Sequence, residues 1–160
     1  MKWITHQAGA AIGAAALGLP VAAIVLSVAG AVWPDILDQR ASRLAGSSRK
    51  DRQKMFNRIH RGASHWFGWY AGLLLVISAC PLPAMARDCA VGFVLGAMSH
   101  VILDMLTPQG IPLLPFSRKG KLAAPLCITG HWSEYLFLAV MSAGGLWYLA
   151  THGILPVLAH

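Results

Sequence analysis

The sequence predicts an all-α polytopic membrane bundle of about five transmembrane or membrane-embedded helices, or four if the first apolar block is one span. Three observations carry this. Of 160 residues, 56% are hydrophobic and 12% charged, with a mean hydropathy of +0.57, more apolar surface than a soluble domain can hide. The apolar residues form blocks without Asp, Glu, Lys or Arg at 8 to 33, 66 to 86, 89 to 103 and 135 to 158, as lipid requires of segments that satisfy their own backbone. Turn signals or polar runs separate the blocks. One domain is expected over 1–160, with a basic connection at 39–62.

In the first block, Gly18-Leu19-Pro20 is a turn signal. It favours a hairpin of two short helices, roughly 3 to 18 and 20 to 33, over a single tilted span. Gly9 and Gly13 suit close helix contact. Lys2 ahead of an apolar stretch imitates a signal peptide, but the stretch runs to Trp33 without a polar cleavage region, so it reads as mature structure. A third helix runs from His65 to Ala79 and stops at Cys80-Pro81-Leu82-Pro83. Arg87 and Asp88 mark the far-side turn, and a fourth helix runs from about Cys89 to Leu106. A fifth, from Trp132 to about Ala150, carries Trp147 and Tyr148 as interfacial anchors.

Net charge is +7, concentrated in two connections. Arg40, Arg43, Arg49, Lys50, Arg52, Lys54, Arg58 and Arg61 fill one; Arg118, Lys119 and Lys121 fill the other. Such loops stay cytoplasmic and attract anionic phospholipid. Phe56 alone offers base stacking there, which argues against nucleic acid. This threading puts the amino end inside and the carboxyl end outside. Cys80, Cys89 and Cys127 lack the spacing of a thiolate zinc site and read as small apolar residues.

The same threading places His6, Asp35, Asp38, His60, His65, His100 and Asp104 on one side, next to the basic connections. Ionisable groups at membrane depth pair, bind ions or line water paths. His100 and Asp104, four apart on a helix, share one face. In His60-Arg61-Gly62-Ala63-Ser64-His65, two imidazoles flank a guanidinium fork suited to phosphate or carboxylate. The imidazole and carboxylate donors suit zinc, manganese or iron. Seven candidates exceed one ion's needs, which points to two ions sharing carboxylates or to one with supporting partners. His131 reads as interfacial, and His152 and His160 as noncatalytic.

On Ser99-His100-Val101-Ile102-Leu103-Asp104 through Leu114, on His60-Arg61-Gly62-Ala63-Ser64-His65, on Pro34-Asp35 and, less specifically, on Thr5-His6, the chain resembles the YdjM family of membrane-bound metal-dependent hydrolases. That family is similar to the zinc-dependent phospholipase C and single-strand nuclease group. The resemblance covers residues 4 to 137. It implies an integral inner-membrane hydrolase with His6, Asp35, His60, His65, His100 and Asp104 at the metal. The family often has Pro-Asp-x-Asp, whereas here Leu37 holds the second acidic position and Asp38 follows it. Gly130 and Glu134 resemble a Gly-x-x-x-Glu element, making Glu134 a further ligand or base.

The expected function is therefore hydrolysis of an ester or phosphoester of a membrane-located substrate by metal-activated water, with Arg61 orienting the anionic group. Ion or proton transport through the same His/Asp residues, and a noncatalytic organiser acting through the basic loop, are the alternatives.

Overall fold

A computed structural model describes residues 1–45, 47–117 and 120–154; Arg118, Lys119 and His160 lie outside them. The described chain is mostly helical: α1 (Trp3–Ala16), α2 (Val21–Gly30), α3 (Trp33–Ala45), α4 (Arg49–Ile59), α5 (Phe67–Ala79), α6 (Ala84–Met105) and α7 (Trp132–Thr151). A 3-10 turn at Ala63–His65 precedes α5. A two-residue hairpin follows α6, pairing β1 (Ile111–Pro112) antiparallel with β2 (Lys121–Leu122).

The first apolar block is a hairpin. Gly18 adopts the left-handed conformation, φ 69°, which costs glycine little, and α2 begins straight after Pro20. Ser27 Oγ donates across the hairpin to the Ala10 carbonyl at 3.2 Å. Pro81 and Pro83 end α5, and α6 starts at the next residue. Arg87, exposed, and Asp88, half-buried, consequently lie within the first two turns of α6 and not in a turn before it. Pro83 hands directly to Ala84, and nothing in Ala84-Met85-Ala86 opposes helix.

The 22 residues of α6 span about 33 Å, enough for a bilayer core of about 30 Å. It is the one described helix that is both long and apolar enough to cross a membrane; α2 and α3, bent by 40° at their junction, pass the same test as a pair.

Packing is closest between α2 and α6. A Cβ added to Gly92 would fall 2.3 Å from the Ala23 carbonyl oxygen, and one on Gly96 1.9 Å from that of Ser27. On the facing helix, a Cβ on Gly30 would lie 2.0 Å from the Phe93 carbonyl oxygen. Only glycine allows backbones this near, the small-residue device of membrane helix pairs.

An apolar core of Tyr70, Ile77, Val94, Ala97, Val101 and Ile111 joins α5 and α6, and beside it lies a buried polar group. The largest fully buried side chains are led by His6, His65, His100 and Glu134, whereas Leu75 is 73%, Val140 64% and Trp147 69% exposed. Many large apolar groups thus face outward.

Candidate metal centre

Four segments deliver the polar interior. On α3, Asp35, Asp38 and Ser42 are buried, and their spacing of three and four residues puts them on one helix face. On α6, His100 follows Gly96 by one turn and Asp104 follows His100 by another. The tight α2/α6 contact lets His100 Nδ1 reach the Ala31 carbonyl at 2.6 Å. Helix α1 contributes His6, whose ring stacks on His100 at 3.8 Å between centroids.

The segment from His60 to His65 folds back over α3. Arg61 takes φ 57°, a region that costs a non-glycine residue about 1–3 kcal/mol. Its contacts hold it there. The backbone N–H donates to Asp38 Oδ2 at 3.3 Å, Nη1 to Thr107 Oγ1 at 2.7 Å and Nη2 to Asp104 Oδ1 at 2.8 Å. A Cβ on Gly62 would meet the Ile59 carbonyl oxygen at 2.6 Å, so this fold-back needs glycine.

The ring protons follow from their partners. A carbonyl has no proton to give, so at 2.6 Å His100 Nδ1–H donates to Ala31 and Nε2 carries the lone pair. Ser64 Oγ spends its single proton on Asp38 Oδ1 at 2.6 Å; it therefore accepts from His65 Nδ1–H at 2.9 Å. His65 Nε2 is then also a lone-pair atom. Yet the two Nε2 atoms face each other at 3.2 Å. Two lone pairs at that separation repel unless a proton or a cation lies between them.

Asp35 Oδ1 and Asp104 Oδ2 flank this pair. Asp35 Oδ1 is 3.6 Å from His65 Nε2 and 3.6 Å from His100 Nε2. Asp104 Oδ2 is 3.6 Å and 3.7 Å from the same two nitrogens. Neighbouring ligand atoms of a tetrahedral ion with bonds of about 2.1 Å stand about 3.4 Å apart, close to each of these separations. Asp35 Oδ2 is anchored by Trp3 Nε1–H at 2.9 Å, whereas Oδ1 and both His6 ring nitrogens are buried without a hydrogen-bond partner. Buried polar atoms are normally satisfied. Lone pairs converging on such orphans fit a divalent cation.

Two triads have ligand atoms close enough to hold an ion: His6, His100 and Asp104, and Asp35, His60 and His65. His60 Nδ1 lies 3.3 Å from Asp38 Oδ2 and 3.6 Å from Asp35 Oδ1. The structure thus gathers all seven His/Asp candidates into one cluster.

Arg61 and Glu134 stand otherwise. The Arg61 guanidinium donates to Asp104 and Thr107 and also lines the adjoining cavity. Glu134 accepts from the Lys2 backbone N–H, from Thr5 Oγ1 at 3.1 Å and from the Gly130 N–H at 2.6 Å. It ties the start of α1 to the start of α7. His131 is exposed against Trp132, and His152 stacks on Tyr148.

Trp3, Thr107, the Ala31 carbonyl and the N-terminal ammonium, 2.8 Å from Asp104 Oδ1, went unread in the sequence. Only Thr107, one turn after Asp104, offered a signal, since a hydroxyl there can cap a helix end.

A cavity of about 530 Å³ opens beside the cluster, with His60, Arg61, Asn57, Gln109 and Lys121 among its lining. A family model described as YdjM inner membrane protein matches residues 1–159 of the chain. No curated protein and no solved structure matches it.

Proposed function

The chain therefore belongs to the YdjM inner membrane protein family, and on that premise we propose that it is a multi-pass metal-dependent hydrolase of an ester or phosphoester carried by a membrane-located substrate. The observation that carries this reading is the facing pair of imidazole lone pairs at 3.2 Å, flanked by the Asp35 and Asp104 carboxylates. The donor set favours zinc, with manganese or iron also accommodated by nitrogen and oxygen ligands. The two triads, His6/His100/Asp104 and Asp35/His60/His65, would hold one ion each or share one, with Asp38 in support.

A divalent ion bound there supplies Lewis acidity and an activated water. The chain's own residues do the rest. His100 and His65 are fixed in the ligand tautomer by Ala31 and Ser64, as outer partners of metal-binding histidines do. Arg61 and Thr107 hold Asp104 at its post. His60, with 27% of its side chain exposed, forms the boundary between the cluster and the cavity. Lys121, Asn57 and Gln109 offer one cation and two amides on the cavity wall, which suits an anionic or strongly polar substrate group better than an apolar one. Orienting that group falls to Arg61 and Lys121, which both line the cavity.

The exposed large apolar side chains of α1, α2, α5, α6 and α7 support five membrane-embedded segments that face lipid. The polar cluster lies with the basic α3–α4 connection, which supports a cytoplasmic site.

Elemental analysis of detergent-purified protein tests the reading, comparing wild type with the double variant His100→Ala/Asp104→Ala. Wild type is expected to hold at least one equivalent of zinc or manganese and the variant none, with EDTA-sensitive cleavage of a phosphodiester or ester substrate by wild type alone. Wild type that stays metal-free after incubation with each ion would sink it.

A further inference from the structure

Helices α3 and α4 pack against each other, and a cleft of about 510 Å³ lined by residues of both opens between them, with none of the seven His/Asp residues in its lining. Its lining includes Arg43, Arg49, Arg52, Gln39, Gln53 and Phe56, with no carboxylate. Three guanidinium groups on one cleft repel one another. Among the described residues no ion pair reaches any of them. Asp51, the nearest acidic residue in sequence, is occupied by Ser47 and Ser48. An arrangement of unneutralised forks with two amides beside them matches the planar, multiply accepting oxygens of a phosphoryl group.

We propose that this cleft binds the phosphodiester headgroup of an anionic membrane lipid. Lipid is favoured over nucleic acid by three features. Leu44, adjacent to Arg43, is 91% exposed, and an apolar side chain beside basic ones is the pattern of interfacial insertion. Phe56, the one aromatic lining the cleft, has a face committed to the His60 ring at 4.7 Å, which removes it as an open stacking platform for bases. Helix α3 also sets out directly from apolar α2, so Arg43, ten residues beyond Trp33, is about 15 Å along the axis from that start and its long side chain can reach back to the headgroup layer. The Phe56–His60 stack places the headgroup one ring away from the metal-centre boundary.

The test uses full-length protein in uncharged detergent, titrated with short-chain phosphatidylglycerol, phosphatidylcholine, inorganic phosphate or a short single-stranded oligonucleotide, with bound species counted by native mass spectrometry. Wild type is expected to prefer phosphatidylglycerol. The variant Arg43→Gln/Arg49→Gln/Arg52→Gln should bind it about a hundredfold more weakly, as expected when three basic groups no longer face the headgroup. Lys50→Gln/Lys54→Gln/Arg58→Gln removes the same charge from the same connection but off the cleft, and should lower binding far less. Because α4 buries none of its residues, Gln53→Glu provides a single exposed substitution that places a carboxylate in the cleft and should weaken binding without unfolding. Equal weakening by the two triple variants, inorganic phosphate bound as tightly as the lipid, or an oligonucleotide that displaces it would each overturn the proposal.

Discussion

Glu134 and Asp35 are both carboxylates buried against the first turn of α1, and that turn bonds to each: Lys2 N–H to Glu134, Trp3 Nε1–H to Asp35. Around Glu134 every further neighbour is a donor, the Thr5 hydroxyl and the Gly130 N–H. Around Asp35 the second oxygen has none and instead stands 3.6 Å from ring nitrogens of His60, His65 and His100. The first environment closes on itself and stabilises a helix junction. The second leaves Asp35 Oδ1 facing the lone pairs of His65 and His100, which folding alone does not reward, and that difference is the one expected between a structural carboxylate and a ligand.

The sharpest way to break the comparison is to remove one residue from each side. His65→Ala deletes the nitrogen common to the facing imidazole pair and to one of the two triads, and is expected to abolish stoichiometric metal uptake. Glu134→Gln should keep the metal while lowering stability by about 1–3 kcal/mol, since an amide N–H must now face a backbone donor. Elemental analysis with thermal unfolding, run with and without EDTA, reads both; metal lost from Glu134→Gln would collapse the distinction. A smaller effect is expected for Arg61→Lys, which keeps the charge but not the fork to Asp104 and Thr107. Metal should remain bound, about 10–100-fold more weakly, as measured by competition with a chromogenic chelator. Gly96→Ala forces a methyl against the Ser27 carbonyl, one turn before His100. It should destabilise by about 1–3 kcal/mol from overpacking, with the thermal midpoint falling in apo and loaded protein alike.

What the sequence made legible follows from the range of each interaction. Helix breaks at Gly18-Leu19-Pro20 and Pro81–Pro83 are local backbone constraints, so they were read correctly. The grouping of His and Asp residues was legible because apolar segments of fixed rise carry polar ends to a common level. The helices α3 and α4 inside the basic connection were missed: charge density drew attention away from the Asp35, Asp38, Ser42 face spacing and from the Ser48 cap. The partners of Arg61 were not legible either, since Asp104 and Thr107 lie more than forty positions onward. Only tertiary contact decides whether such a group faces substrate or supports a ligand.

The mildest test lies at the far end of α4 from His60. Ser48 Oγ accepts from the Asp51 backbone N–H at 3.1 Å and donates to the Asp51 carboxylate at 2.6 Å, a reciprocal cap on a helix with no buried residue to anchor it. The Ser48 hydroxyl holds the Asp51 carboxyl below its usual range. A depressed folded-state value means the contribution is present above the unfolded value of about 3.9 and is lost as pH falls through the lower folded one. Ser48→Ala should therefore loosen α4 by about 1 kcal/mol at neutral pH, seen as roughly fivefold faster amide exchange over residues 49–59, with the gap to wild type narrowing in acid. Metal content should not change, because the cap touches none of the cluster. A Ser48→Ala protein that loses metal would show that the helix as a whole, and not only its His60 end, sets the geometry of the centre.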